Sequence, residues 1–192
     1  CRGHGWANLQ SVHLNLPFEG DVEFGALHAA IRFLLPILPA IAASSPVVEG
    51  KTTNLLDNRL EMYRTNSSAL PSIAGRVIPE PVFRRRDYEE QILERIYADV
   101  APFDAEGVLR DEFLNARGAI ARFGRGAIEI RLLDVQECPQ ADVALCTLIS
   151  EILRFLMRDV AALRRMMEYP TEQLHDLLLA CIRYGEQAAI AD

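Results

Sequence analysis

The stretch 119–134, Ala-Ile-Ala-Arg-Phe-Gly-Arg-Gly-Ala-Ile-Glu-Ile-Arg-Leu-Leu-Asp, most narrows what this chain can fold into. Two strand-like runs flank Gly124-Arg125-Gly126. Glycines framing so short a connection mark a β-hairpin, because tight turns need backbone angles that side chains resist. In the second run Ile128, Ile130 and Leu132 alternate with Glu129, Arg131 and Leu133. Successive strand side chains point to opposite faces, so Glu129 and Arg131 share one face and the three aliphatic residues share the other. Such a pair fits two roles. It can be a solvent-facing ion pair, or it can meet a metal-bound phosphate, with the carboxylate on a divalent cation and the planar fork on phosphoryl oxygens.

The remaining pattern supplies helices to cover the aliphatic face. Residues 11–16 alternate Val12, Leu14 and Leu16 with Ser11, His13 and Asn15, which is a half-buried strand. Residues 21–35 carry Phe24, Leu27, Ile31 and Leu34 at helical spacing, with Asp21 as the expected N-cap and Pro36 and Pro39 as the expected stop. Residues 44–82 are polar and punctuated by proline and glycine, and read as a long functional or disordered loop. A helix over 87–100, capped by Asp87, lines up Tyr88, Ile92, Ile96 and Val100. A strand over 108–117 precedes the hairpin. One long helix over 140–167 and a last one, capped by Thr171 and running to about residue 189, close the chain. Strands followed by helices predict an α+β fold, an antiparallel sheet with helices packed on one face.

With 192 residues, half of them hydrophobic, the chain can bury one sizeable core. Its net charge of -7 and its scattered arginines (Lys51 is the one lysine) argue against nucleic-acid binding. The apolar run 33–48 holds three prolines and is too short and broken for a membrane span. None of the four cysteines forms a CxxC pair, and Cys146 and Cys181 read as buried thiols in a reducing cytoplasm. The chain opens on Cys1 with a strand that lacks an upstream partner, which reads as a piece of a longer protein. A bare strand edge over residues 9–16 would then favour self-association or retention of the preceding portion.

Two constellations carry possible chemistry. His13 and Asn15 share a strand face, where a histidine is either an ordinary hydrogen-bonding group or a metal or phosphate contact. Arg59, Arg64, Arg117 and Arg131 come from separate segments and, if they converge with Glu129, make an anion site; otherwise they are surface arginines bridging loops. Asp134 and Glu137 follow the strand and read as solvated turn or cap residues. His28 and His175 fall in helices and read as structural, and His4 sits in a glycine-rich start.

The segments Ser11-Val12-His13-Leu14-Asn15, Ala43-Ser44-Ser45-Pro46 with Glu49-Gly50, Asp57-Asn58-Arg59, Gly126 to Asp134 and Arg183-Tyr184-Gly185 occur in an order that resembles the glutamate–cysteine ligase type 2 family. This is the carboxylate–amine ligase branch of the glutamine synthetase-like fold, and the resemblance covers nearly the whole chain. It implies a cytoplasmic ATP-dependent ligase, with Mg2+ or Mn2+, that phosphorylates an amino-acid or other carboxylate substrate and passes the acyl group to an amine. By that resemblance Glu129 and His13 are metal ligands, Arg131 and Arg59 are catalytic, and Asn15, Arg117 and Arg64 contact the nucleotide. Asn15 stands where many relatives carry a second histidine. The family's paired metal-binding glutamates would lie before residue 1, so residues 1–192 correspond to one partial domain, the C-terminal portion of the ligase. The family tends to be oligomeric. The alternative is a degenerate ligase-like domain serving as a non-catalytic binding or partner module.

Overall fold

The computed structural model describes residues 9–189. The sheet has three antiparallel strands in the order β1 (Ser11–Pro17), β5 (Ala127–Asp134) and β4 (Ala119–Arg122). β4 and β5 form the hairpin, joined through a 3-10 turn at Phe123–Arg125 and closed by Gly126 at φ 59, a left-handed conformation that glycine adopts without a Cβ penalty. β1 pairs with the other side of β5, with Leu16 opposite Ile128, Asn15 opposite Glu129 and Leu14 opposite Ile130. The register then shifts: Val12 pairs with Leu133, so Arg131 and Leu132 both lie across from His13. This β-bulge rephases the strand. It explains why Leu133, which strict alternation sets beside Glu129 and Arg131, is completely buried.

Helix α1 (Gly20–Leu34) continues through a 3-10 turn into α2 (Leu38–Ala42), so neither Pro36 nor Pro39 stops the run. Both prolines sit in the first turn of their own segments, where a missing N–H costs nothing. By length and composition Gly20–Ala42 could cross a membrane, yet its apolar face is spent on the core. Leu35 and Leu132 crowd the same spot beside Gly118, which puts this helical run over the aliphatic face of the sheet. Asp21 caps no part of α1; Glu19 holds the cap position, and Asp21 instead accepts the Arg85 N–H at 3.2 Å. That outside acceptor lets the next helix start at α4 (Arg85–Tyr88), ahead of the expected Asp87, and pass through a π turn into α5 (Glu94–Val100). Tyr88, Ile92, Ile96 and Val100 are all buried on its inner face.

Three other expectations are corrected. Residues 44–82 are no bare loop: they fold as the hairpin β2 (Val47–Val48) and β3 (Lys51–Thr52), then α3 (Asn58–Asn66), capped by the Asp57 carboxylate on the Leu60 N–H at 2.7 Å. Residues 108–117 are turns and a 3-10 segment rather than a strand, because Asp104 and Asp111 hold nearby backbone N–H groups. The long helix divides into α6 (Pro139–Leu156) and α7 (Val160–Glu168), with Asp159 capping the second through the Ala161 and Ala162 N–H groups. The last helix, α8 (Thr171–Tyr184), ends at Gly185 (φ 56), where a Cβ would meet Leu56 at 2.6 Å. The Thr171 side chain caps nothing; its hydroxyl accepts from the buried Arg32, which also donates to the Pro79 carbonyl and so ties α1 to α8.

One continuous core draws on α1, α2, α3, α5, α6, α7, α8 and all three strands of the main sheet. Its chemistry matches the reading of the helical histidines. His28 lies fully buried among the rings of Phe24, Phe83 and Tyr88, and burial pushes its pKa down to about 3, leaving it neutral. His175 Nδ1 lies 2.9 Å from the Arg76 carbonyl, an acceptor only, so that nitrogen carries the proton. Cys181 is buried and Cys146 half-buried, and burial raises both thiols; Cys138 is exposed. His4 and Cys1 lie outside the described residues.

Candidate functional site

The polar face of the sheet is built by the pairing just described. Asn15 and Glu129 are direct cross-strand partners, and the bulge brings Arg131 opposite His13. Glu129 is 5% exposed, with two guanidiniums and one imidazole against its carboxylate. Its Oε1 accepts from Arg131 Nε at 2.7 Å and lies 3.3 Å from His13 Nδ1, while Oε2 faces Arg122 Nη1 at 3.4 Å. Burial alone would raise this carboxyl. The Arg131 hydrogen bond and charge, with His13 and Arg122, outweigh it and hold Glu129 below the ordinary carboxylate range.

His13 is pushed the other way. Burial lowers its imidazole below 6.5, Glu129 pulls it up, and Arg131 and Arg59 press it down, with a net lowering. At neutral pH the ring is therefore mainly uncharged, with Ser11 Oγ 2.9 Å from Nε2. Glu129 Oε1 and His13 Nδ1, 3.3 Å apart, are a carboxylate and a neutral imidazole placed to share one divalent cation, with His13 at the cavity wall and Glu129 behind it. Among the described residues no group of three or more His, Cys, Asp or Glu comes together to hold a metal unaided.

Arg131 is fixed from several sides. Nη1 donates to the Asn115 carbonyl at 2.8 Å, and the Tyr63 hydroxyl of α3, which donates to the Arg117 carbonyl at 3.3 Å, lines the same cavity end. Burial raises the Tyr63 phenol despite the nearby Arg131, keeping it protonated. These groups stand at one end of a cavity of about 550 Å3, within the size range of small-molecule sites. His13, Ser11, Arg131 and Tyr63 form its polar end, and the turns after α3 and before β4 form the rest. Helix α3 thus approaches the sheet from its polar side.

The other arginines divide. Arg59 is buried, and it reaches the end of β5 rather than the cavity wall. Nε donates to Asp134 Oδ1 and Nη2 to the Leu132 carbonyl. Asp134, read from sequence as a solvated turn or cap, is 1% exposed and corrects that expectation. Its carboxylate also accepts from the Ser44 N–H at 2.9 Å and Ser45 Oγ at 2.8 Å. Asp57 lies beside it, and burial first, then the Asp134 charge, push the Asp57 carboxyl up from 3.8 to about 7. Arg117 is buried with its donors on Glu80, Ser72 O and Asn115 Oδ1, and lines no part of the cavity. Arg64 turns back along α3 to Glu61. Asn15 is exposed on the polar face outside the cavity lining. Glu137 is exposed.

Sequence reasoning missed Arg122, Tyr63 and Asn115. Arg122 was within reach: across a hairpin closed at Gly124–Gly126 it must face Ala127, on the same side as Glu129. Tyr63 depends on α3, and Asn115 acts through its backbone carbonyl, which leaves no side-chain signal.

Comparison with known proteins bears on the whole arrangement. Residues 3–190 match the model of a family described as "Glutamate-cysteine ligase family 2(GCS2)". An Archaeoglobus fulgidus protein named only as uncharacterized is 40% identical over 184 residues, 96% of this chain and 47% of the relative. A Streptomyces avermitilis protein named "Putative glutamate--cysteine ligase 2-1" is 28% identical over 162 residues, 84% of this chain and 41% of the relative. A Nocardioides protein of the same name is 26% identical over 179 residues, 91% of this chain and 42% of the relative. The chain therefore spans less than half the length of these curated relatives.

Proposed function

The chain belongs to glutamate–cysteine ligase family 2, and from that premise we propose that the full protein is an ATP-dependent carboxylate–amine ligase, of glutamine synthetase-like fold, whose activating site includes this cavity. The observation that carries the reading is the buried Glu129, held ionised by Arg131 and Arg122 beside His13, with Arg131 and His13 lining one end of a small-molecule-sized cavity. The reaction has two displacements. A carboxylate oxygen of the acid attacks the γ-phosphorus of ATP and ADP leaves; the amine nitrogen then attacks the acyl phosphate carbon and phosphate leaves, with a proton lost from nitrogen.

Each side chain has a part that follows from its position. Arg131, locked by Glu129 and the Asn115 carbonyl, presents its remaining donors to the transferring phosphoryl oxygens or the acid's carboxylate with little reorganisation on binding. Glu129 keeps the two guanidiniums oriented. With His13 it would hold Mg2+ or Mn2+, which would supply charge neutralisation across the phosphates. Arg59 acts at one remove, by fixing the Leu132 carbonyl and hence the bulge that aims Arg131.

The test is ADP release by the full-length protein, dependent on both an acid and an amine. Glu129→Gln should abolish most turnover even where a melt shows the variant still folded at the assay temperature, and Arg131→Ala should slow it at least about tenfold, the equivalent of about 1.4 kcal/mol. Rates equal to the unsubstituted protein in both variants would overturn the assignment.

A further inference from the structure

The two edges of the main sheet differ. On the β4 side the backbone donors find partners: the Ala121 N–H donates to the buried Tyr88 hydroxyl at 3.1 Å, and the Gly118 N–H to the Val77 carbonyl at 2.7 Å. On the other side β1 is the last strand among the described residues. Its main-chain groups divide by alternation. The Phe18 N–H donates to the Gly126 carbonyl at 3.0 Å, and across β5 the Arg131 N–H donates to the Gly118 carbonyl at 2.8 Å. In this register Leu14 and Leu16 turn their N–H and C=O to β5, and Asn15 turns its own outward. An uncovered edge of this kind is a template for another strand. The packing beneath β1 is open as well. Val12, Leu14 and Leu16 are only half-buried, where Ile128 and Ile130 of the central strand are completely buried. Between β1 and α6 run two hollows of about 380 and 400 Å3, joined at Ser150 and Arg154. Val12 and Leu16 stand on one wall of this cleft, and Val143, Cys146 and Leu153 on the other. Glu151 and Arg154, also along it, pair with each other.

We propose that an extended segment from the portion of the full-length protein outside residues 1–192 adds to β1 as a fourth strand of the main sheet, its main chain on Asn15 and its alternate apolar side chains in the cleft against α6. The occupant is assigned to the same chain because the curated relatives are more than twice as long as the part matched here. Pro17, with no N–H to offer, limits the pairing to the stretch before it. Side chains on the added strand's other face would neighbour His13, so the segment that closes the core also borders the candidate site. The inference rests on the edge and the cleft and is independent of ligase activity. Its test uses the full-length protein. The photo-crosslinking residue p-benzoylphenylalanine in place of Thr147, an exposed position on the α6 wall, should join to a peptide outside residues 1–192 in a product of monomer mass. Hydrogen exchange read at single amides should show Asn15 protected to within about tenfold of Leu16, at protein concentrations spanning about a hundredfold. Ser150→Arg, which fills the join of the two hollows, should speed Asn15 exchange at least about tenfold and leave Leu16 unchanged. If that variant unfolds, Val143→Asp, at a position 66% exposed in this chain, makes the same test. Asn15 exchanging at the rate of an unstructured chain overturns the proposal, as does a crosslink confined to residues 1–192. Crosslinking to a second copy, with protection lost on dilution, also overturns it, since the edge would then be a dimer interface. Protection that both substitutions leave untouched places the covering group elsewhere and overturns it too.

Discussion

Arg59→Met probes the junction on which the site's geometry depends. Arg59 joins Asp134 and the Leu132 carbonyl from α3, and both side chains of the pair are nearly inaccessible to water. Methionine keeps much of the volume but removes every donor. Asp134 would retain the Ser44 N–H and Ser45 Oγ, yet lose its counter-charge while Asp57 remains beside it. Removing one partner of a buried pair costs about 3–5 kcal/mol, far above the roughly 0–1 kcal/mol typical of exposed pairs. For a cooperative unit of roughly 150–250 residues that corresponds to a fall in Tm of about 6–20 °C. The assay is thermal unfolding of the full-length protein at pH 7, with Asp134→Asn and the double variant completing a cycle. Coupling of about 1.5 kcal/mol or more is expected, because the two groups act as one unit. A fall in Tm below about 2 °C for Arg59→Met, or additive single losses, would refute the claim that this pair anchors the end of β5.

Other outcomes follow from individual contacts. Burial and the neighbouring Asp134 charge raise the Asp57 carboxyl from 3.8 to about 7 in the folded protein, so its contribution is fully present below 3.8 and is lost as pH rises through about 7. Asp57→Asn, which resembles the protonated acid and can still cap α3, should flatten the decline in Tm between pH 4 and pH 7; an unchanged slope in a pH series of melts would contradict this. Gly118→Ala should destabilise by about 1–3 kcal/mol, because its Cβ would fall 2.3 Å from Leu132 Cδ2 and 2.9 Å from Leu35 Cδ2; wild-type stability in a urea titration would show that this contact is looser than described. Arg122→Ala should raise the Glu129 carboxyl by removing a facing cation, observable as an upward shift of the acidic limb of the rate–pH profile, and an unmoved limb would count against that pairing.

The main-sheet hairpin was legible because local rules decide it: Gly126 supplies the left-handed residue that closes the turn and a period of two fixes the faces. The first helix was legible through its apolar spacing. The break between α6 and α7 was not, since Arg158 and Asp159 read equally well as the polar side of one amphipathic helix, and only the cap geometry separates the readings. Helix α3 has few apolar residues at helical spacing; it is held by the Asp57 cap and by Arg59 and Tyr63 reaching the sheet, contacts that no local window contains. Asp134 was misread for the same reason. Its partners Ser44, Ser45 and Arg59 lie 75 to 90 residues away in sequence, and a carboxylate after a strand looks like a surface turn until they converge. At the site, the shared face of Glu129 and Arg131 followed from alternation. The bulge that sets His13 opposite Arg131 did not, because one extra residue in a strand leaves the pattern of side chains nearly unchanged.

Carboxylate activation by ATP leaves a trace that binding alone cannot. With an acid substrate labelled with 18O in its carboxylate, full turnover in the presence of ATP and an amine should carry one labelled oxygen into each inorganic phosphate released, because that oxygen bridges carbon and phosphorus in the acyl phosphate. Mass spectrometry of the phosphate reads this directly. Stoichiometric label in phosphate from the full-length protein, lost with turnover in Glu129→Gln, is the predicted result; unlabelled phosphate, or no ATP-dependent amide formation with any carboxylate, would contradict the account.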